Sequence, residues 1–269
     1  MIRVIVPDSH GSYIDIAARD AFLKDLKLLA PREIVMLGDH VDVSGIFSNH
    51  PRNYVEELAY SYEEDCQAAA TFLDKIQDNA PGASVYYIEG NHEQHLERWA
   101  ARVHTSKRDA EAYLKINGPE TRLELKRRGI RYYRMSEQYM GLAVPGTIRL
   151  GKCYFLHGYR AGKHATAAHL DDLGGNLVHG HTHRSASVIR RTASAGEIGA
   201  HCPGTLARLQ PLYLHTSVSS WSHGYGVQMV ERDGRFLHIN VPIVRGRSLL
   251  RPLLDSLRPQ RLFGGRKAA

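Results

Sequence analysis

Two apolar runs, Val4-Ile5-Val6 and Ile34-Val35-Met36-Leu37, each give way to groups that bind protons or cations. Asp8-Ser9-His10 follows the first, and Gly38-Asp39-His40-Val41-Asp42 follows the second. A short apolar run that ends in polar functional groups reads as a strand buried on both faces of a parallel sheet. Three further segments repeat the mixture of oxygen and imidazole side chains: Gly90-Asn91-His92-Glu93, His157-Gly158 and Gly180-His181-Thr182-His183. Strand ends are rigid, and the loops leaving them are free to carry function. Ligands far apart in sequence can therefore converge on the carboxyl edge of a sheet, which is how a two-metal site is built.

Strand and helix signals alternate through the first half: strand 2–7, helix 13–29, strand 33–38, helix 53–79, strand 84–89. The fold class is α/β. Pro31 and Pro81 fall between helix and strand, where a missing N–H costs little. Residues 93–128 read as helical with a break at Asn117-Gly118-Pro119, and a helical insertion or cap over about 93–145 is expected beside the site. Strand signals return at 146–150 and 152–157, followed by a helix over 162–173 and a strand into the last histidine block. The remainder is mainly β, with segments 186–191, 212–218, 225–232 and 235–244 and a hairpin turn at Asp233-Gly234. One domain over 1–250 is expected, with 251–269 as a basic, flexible tail.

In order and spacing the five blocks resemble the calcineurin-like metallophosphoesterase superfamily, in particular its compact bacterial and phage members. The resemblance covers residues 2 to about 245. It implies a four-layer α/β/β/α sandwich with two central mixed sheets, and a phosphatase or phosphodiesterase in which a hydroxide bridging two divalent ions attacks a phosphate mono- or diester. By the same resemblance Asp39 bridges the metals, Asp8, His10 and His183 complete the first, and Asn91, His157 and His181 complete the second. His92 is then the catalytic histidine, protonating the leaving oxygen or stabilising the phosphoryl group, and Asp42 orients it. Mixed carboxylate, imidazole and amide donors suit manganese best, with Fe, Zn or Ni as alternatives. Glu93 is expected to support its loop and to stay outside catalysis.

The blocks depart from the family's larger Ser/Thr phosphatases at one place. Those proteins continue G-D-x-x-D with Arg-Gly, whereas Val43-Ser44 follows Asp42 here, so generic ester hydrolysis is better supported than protein dephosphorylation. Arg184, directly after His183, and Arg98 or Arg160 are candidates to replace the missing phosphate-binding arginine. His223, in Trp221-Ser222-His223-Gly224, is a candidate on the substrate side. Taken singly, each residue also has an ordinary reading: Asp8 as a helix cap, Asp42 as a turn carboxylate, His157 as a satisfied histidine. The remaining histidines, including His40, His95, His164, His169 and His179, have no block behind them and are expected to be structural.

Charge is distributed unevenly. The chain carries a formal +7, and residues 98–134 hold eleven Lys and Arg against four Asp and Glu. Such a segment either steers polyanions, including nucleic acid, or is a solvated helical face. A DNA-repair type of nuclease is thus the alternative function, and a non-catalytic metal-binding scaffold a weaker one. No stretch approaches the ~20 apolar residues of a membrane helix and no signal-peptide pattern opens the chain, so a soluble cytoplasmic protein is expected. Cys66, Cys153 and Cys202 are too few and too scattered for a disulfide framework.

Overall fold

The computed structural model describes residues 1–47, 59–211 and 218–257. Strands β1 (Ile2–Val6), β2 (Glu33–Met36), β3 (Ser84–Ile88) and β4 (Arg131–Tyr133) lie parallel and adjacent. Antiparallel β10 (Gly224–Val230), β11 (Phe236–Val244) and β12 (Arg247–Ser248) complete a seven-stranded sheet in the order β12-β11-β10-β1-β2-β3-β4. A second sheet has parallel β6 (Cys153–Leu156), β7 (Leu177–His179) and β9 (Gly196–Pro203) at its centre. Antiparallel β5 (Ile148–Leu150) and β8 (Ser185–Thr192) form its edges.

The period-two alternation of side chains assigns each face of these strands to a layer. Val4, Val6, Ile34 and Met36 pack outward against Phe22 and Leu26 of α1 (Ile16–Leu29) and Phe72 and Leu73 of α2 (Tyr62–Asn79). Their neighbours Ile5, Val35 and Leu37 point the other way and meet Ile148, Phe155 and Val178 of the second sheet. On that sheet's far side Leu156 and Leu177 pack against Leu170 of α6 (Ala165–Leu173). Three apolar seams therefore separate four layers, and the molecule is an α/β/β/α sandwich with two mixed sheets.

Local chemistry sets the helix starts. Asp15 accepts the Ala18 N–H at the start of α1, and Ser61 accepts that of Glu64 at the start of α2. The expected helix over 53–79 is α2 from residue 62 onward, and residues 48–58 lie outside the described ones. The helical stretch after residue 92 is three helices, α3 (Glu93–Val103), α4 (Lys107–Asn117) and α5 (Pro119–Arg122), with Pro119 opening the last where its missing N–H is harmless.

Some elements differ from the sequence expectation. Within the span 93–145, β4 joins the main sheet beside β3 rather than standing apart as a cap. Its three residues are too few to show a period. β9 went unread because Gly196 and Gly199 break its apolar alternation. Residues 251–256, placed in the expected tail, form α7, and Arg251 pairs with buried Asp25 of α1 at 2.9 Å. The expected strand at 212–218 falls almost wholly outside the described residues, as do 258–269. Among the described residues no helix is long and apolar enough to cross a membrane.

Between the sheets, away from the ligand blocks, His201 of β9 stacks on His238 of β11 with ring centroids 4.2 Å apart. Burial holds His201 down to about 4, and burial together with its neighbour holds His238 down to about 3, so both are neutral in the folded protein. Unfolded, each takes up a proton near the ordinary 6.5, so the unfolded chain binds more protons between that value and the folded pKa. Stability contributed by the pair is complete above the window and is lost as pH falls through it. Urea midpoints should therefore drop between pH of about 7 and about 5, and the drop should be smaller for His238→Gln than for the parent chain.

Candidate metal centre

Every ligand block sits where a parallel strand ends. Asp8 and His10 follow β1, Asp39 and Asp42 follow β2, and Asn91 and His92 follow β3. His157 follows β6, and His181 and His183 follow β7. The two sheets thus contribute their carboxyl edges to one place. Asp8, His10, Asp39 and His183 each bring a donor atom within 4.8 Å of the others, and so do Asp39, His157 and His181. Asp39 belongs to both groups. Asn91 joins the second through its Oδ1, 2.9 Å from His157 Nε2.

Hydrogen bonds decide which ring nitrogens face inward. His157 donates from Nδ1 to the Leu37 carbonyl at 2.8 Å, and His10 turns Nδ1 to Asp42 Oδ1 at 2.6 Å. Each Nε2 then points into the centre, where it would offer a lone pair once a cation displaced its proton, the arrangement in which an outer hydrogen bond orients a metal-binding ring. His157 Nε2 lies 3.2 Å from Asp39 Oδ2, and His183 Nε2 lies 3.0 Å from Asp8 Oδ2 and 3.1 Å from His10 Nε2. Two imidazole nitrogens facing each other beside buried carboxylates make a poor partnership by themselves. The same donors fit a cation that both can share. The donor set therefore suits divalent cations, with Asp39 common to both groups.

His92 differs from the ligands. Its side chain is 24% exposed, against 0% for His157, so one edge of the ring remains open to a substrate. Nδ1 donates to the Asp42 carbonyl at 2.6 Å and lies 3.3 Å from Asp42 Oδ1. The expected pairing of His92 with Asp42 is present, but it runs chiefly through the main-chain carbonyl, because the Asp42 carboxylate is also engaged by His10 and Ser44. Burial disfavours a charged His92, but Asp39 and Asp42 reverse the effect and raise it to about 10. Burial would likewise raise the Asp39 carboxyl, yet His157 and His92 hold it well below the usual carboxylate range.

The backbone at the centre is strained. His10, Asp39, His181 and His183 all have left-handed φ, at 50°, 52°, 67° and 57°. Such residues cost of order 1–2 kcal/mol each and persist only where surrounding contacts fix them. Glu93 supplies the fixing at Asp39. Its buried carboxylate accepts the N–H groups of Asp39 (2.9 Å), His40 (2.7 Å), Val41 (3.2 Å) and Gly90 (2.9 Å), and the Tyr87 hydroxyl (2.7 Å). Gly90 is required here because a Cβ would lie 2.1 Å from Asp39 Oδ1. The loop-supporting role expected of Glu93 is what its contacts describe.

Each of the four substrate-side candidates has a hydrogen-bond partner of its own, Arg160 donating to Asp172 at 2.9 Å. His223 turns Nε2 to the Ala207 carbonyl at 2.8 Å, a structural contact. Arg98 lies on the exposed side of α3 and donates to Gln94 at 3.1 Å. Arg184 donates through Nε to Ser220 Oγ at 2.7 Å. Trp221, which opens the His223 segment, stands edge-on to His183 with ring centroids 4.1 Å apart. Of the histidines expected to be structural, His169 accepts the N–H groups of Tyr159 and Arg160 behind the His157 loop, and His179 pairs with Thr166.

No protein-family model matches the sequence, and no curated protein does. Solved structures do. A single mutant of Vps29 from Entamoeba histolytica is 12% identical, covering 92% of this chain and 96% of its own, with a TM-score of 0.42. Vacuolar Protein Sorting 29 from Cryptosporidium parvum is 10% identical, covering 92% and 93%, with a TM-score of 0.47. YfcE, a phosphoesterase from E. coli, is 17% identical, covering 89% and 99%, with a TM-score of 0.38. At such identities and scores the reading of the centre rests on its own residues. Its layered architecture and the order of its ligand blocks agree with the calcineurin-like metallophosphoesterase fold that the sequence resembles.

Sharing of Asp39 between the two groups sets an order of importance among the ligands. With Mn²⁺ as the probe, Asp39→Asn should abolish tight cation binding, whereas Asn91→Ala should only weaken it, as titration calorimetry on the two purified variants would resolve.

Proposed function

We propose that the chain is a dinuclear metal-dependent phosphoesterase, and the observation that carries this reading is the pair of buried ligand groups meeting at Asp39 with His92 beside them. Asp8, His10, Asp39 and His183 would hold one cation, and Asp39, Asn91, His157 and His181 the other. Bound there, two cations supply a water of lowered pKa and neutralise the charge on phosphoryl oxygens. Manganese is the ion we propose, because the carboxylate, imidazole and amide mixture suits it. The protein's own contribution is positional. Asp39 would oppose the charge of both ions, the Nδ1 bonds of His10 and His157 hold their rings in register, and His92 keeps a partly exposed ring against the site. With Nδ1 committed to Asp42, the proton that His92 can give to a leaving alkoxide is the one on Nε2.

The substrate class we propose is supported by where the basic segment lies. The nucleic-acid reading rested on residues 98–134, where Arg122, Arg127, Arg128 and Arg134 are ion-paired with Glu63, Glu124, Asp74 and Glu120. Lys126, Arg127 and Arg128 precede β4 and lie beside the C-terminal end of α2, at the edge of the sheet opposite the ligands. Small phosphate mono- and diesters are therefore the substrates we propose, with Arg184 as the nearest arginine in sequence to a metal ligand.

Hydrolysis of p-nitrophenyl phosphate, bis-p-nitrophenyl phosphate and single-stranded DNA, each with Mn²⁺ and with chelator, tests the proposal. We expect the small esters to be cleaved only with metal, and His92→Ala to lower turnover by roughly 10²–10⁴ while both ions stay bound. Activity that survives complete metal removal would sink the two-metal reading. Faster cleavage of DNA than of either small ester would favour a nuclease instead.

A further inference from the structure

Asp65, in the first turn of α2, belongs to no motif and is fully buried. Its Oδ1 accepts the Ser12 N–H at 2.9 Å, just after the ligand loop of β1. Its Oδ2 accepts the N–H groups of Asp42 at 2.9 Å and Val43 at 3.1 Å, in the loop after β2, and the Tyr60 hydroxyl at 2.6 Å. One carboxylate thus ties together two loops that carry the centre. The approach is so close that a Cβ on Gly11 would fall 1.8 Å from Asp65 Oδ1.

The tie matters because of what Asp42 does next. Its carbonyl accepts from His92 Nδ1 at 2.6 Å and its Oδ1 faces His10 Nδ1 at 2.6 Å, so a shift in this residue is passed to both rings. Val43, directly after it, is β-branched with φ of 45°, a conformation such a residue keeps only where its surroundings impose it. The Asp65 carboxylate on the Val43 amide is one such constraint, and the Val43 carbonyl near His95 Nδ1, at 3.3 Å, is another.

Building on the proposed esterase activity, we infer that Asp65 is a positioning residue: it fixes the Asp42–Val43 backbone and, through the Asp42 carbonyl, sets the angle and depth of the His92 ring. It touches neither substrate nor cation. Glu93 holds the first half of the same loop, from Asp39 to Val41, and Asp65 the second half.

Asp65→Asn preserves shape but turns one acceptor oxygen into a donor facing N–H or O–H groups. In p-nitrophenyl phosphate hydrolysis with saturating Mn²⁺ we expect kcat to fall about 10²-fold, the scale of a small misplacement of a reacting group, with KM and bound metal little changed. In the His92→Ala background the same substitution should cost less than about 3-fold, since the His92 ring is no longer there to position and His10 is held by the Asp42 carboxylate rather than its carbonyl. In the metal-free protein, amide exchange should quicken at Ser12, Asp42 and Val43 and stay slow at Asp39, His40 and Val41. Equal fold-losses with and without His92, unchanged exchange at Asp42 and Val43, or parental turnover would each overturn the inference. If Asp65→Asn does not fold, Tyr60→Phe removes one donor from the same oxygen. It should lower kcat a few-fold only when His92 is present, and no such dependence would overturn the inference equally. Parental activity in the variant with an active parent defeats this inference alone, whereas an inactive parent chain defeats the esterase reading and this one with it.

Discussion

Five consecutive amide groups, from Asp39 to Val43, leave the end of β2 and terminate on two buried carboxylates, Glu93 and Asp65. A run of N–H groups that enters neither helix nor sheet would be costly to bury without acceptors. Here the acceptors are carboxylates, whose bonds to N–H groups are stronger than neutral ones when ionised, and between them they engage every amide from Asp39 to Val43. Asp39 owes its position at the meeting of the two ligand groups to that constraint, and Asp42 owes its contacts with His10 and His92 to it as well. The loop can hold left-handed φ at Asp39 and Val43 because the bonds over-determine it.

The sandwich supplies the second requirement, which is that two sheets deliver their strand ends to the same point. Ile5, Val35 and Leu37 interlock with Phe155 and Val178 across the middle seam, so the carboxyl edges of β1, β2 and β3 cannot slide relative to those of β6 and β7. Ligands from both sheets then converge without any loop having to span the molecule. The bond from the His157 side-chain Nδ1 to the Leu37 carbonyl crosses the seam at the centre itself, coupling the second sheet's histidine to the strand that presents Asp39.

The electrostatics of the centre follow from enclosing Asp8, Asp39 and Asp42 in one buried volume. Desolvation favours the neutral acids, and the imidazoles pull all three below the usual carboxylate range. Such an enclosure favours positive charge wherever a donor atom is not already satisfied. Burial, with the charge of His157 beside it, holds His181 down at about 4.

Sequence alone determined the α/β class and nominated the candidate donors, while the four layers were implied by the family resemblance. Apolar runs at β1, β2 and β3 required buried parallel strands, and the residues that follow them carry the only chemistry that five separate blocks hold in common. Composition and spacing could not reveal Asp65 or the reach of Glu93, since a carboxylate in the first turn of a helix looks the same whether it faces water or a loop 22 residues away. Nor could they place the basic residues 126–128, whose side of the molecule depends on β4 joining the sheet parallel to β3. Those were decided by tertiary structure, because burial and hydrogen-bond partners are properties of which surfaces meet. The period of a sequence specifies which face a side chain takes, and only packing specifies what it finds there.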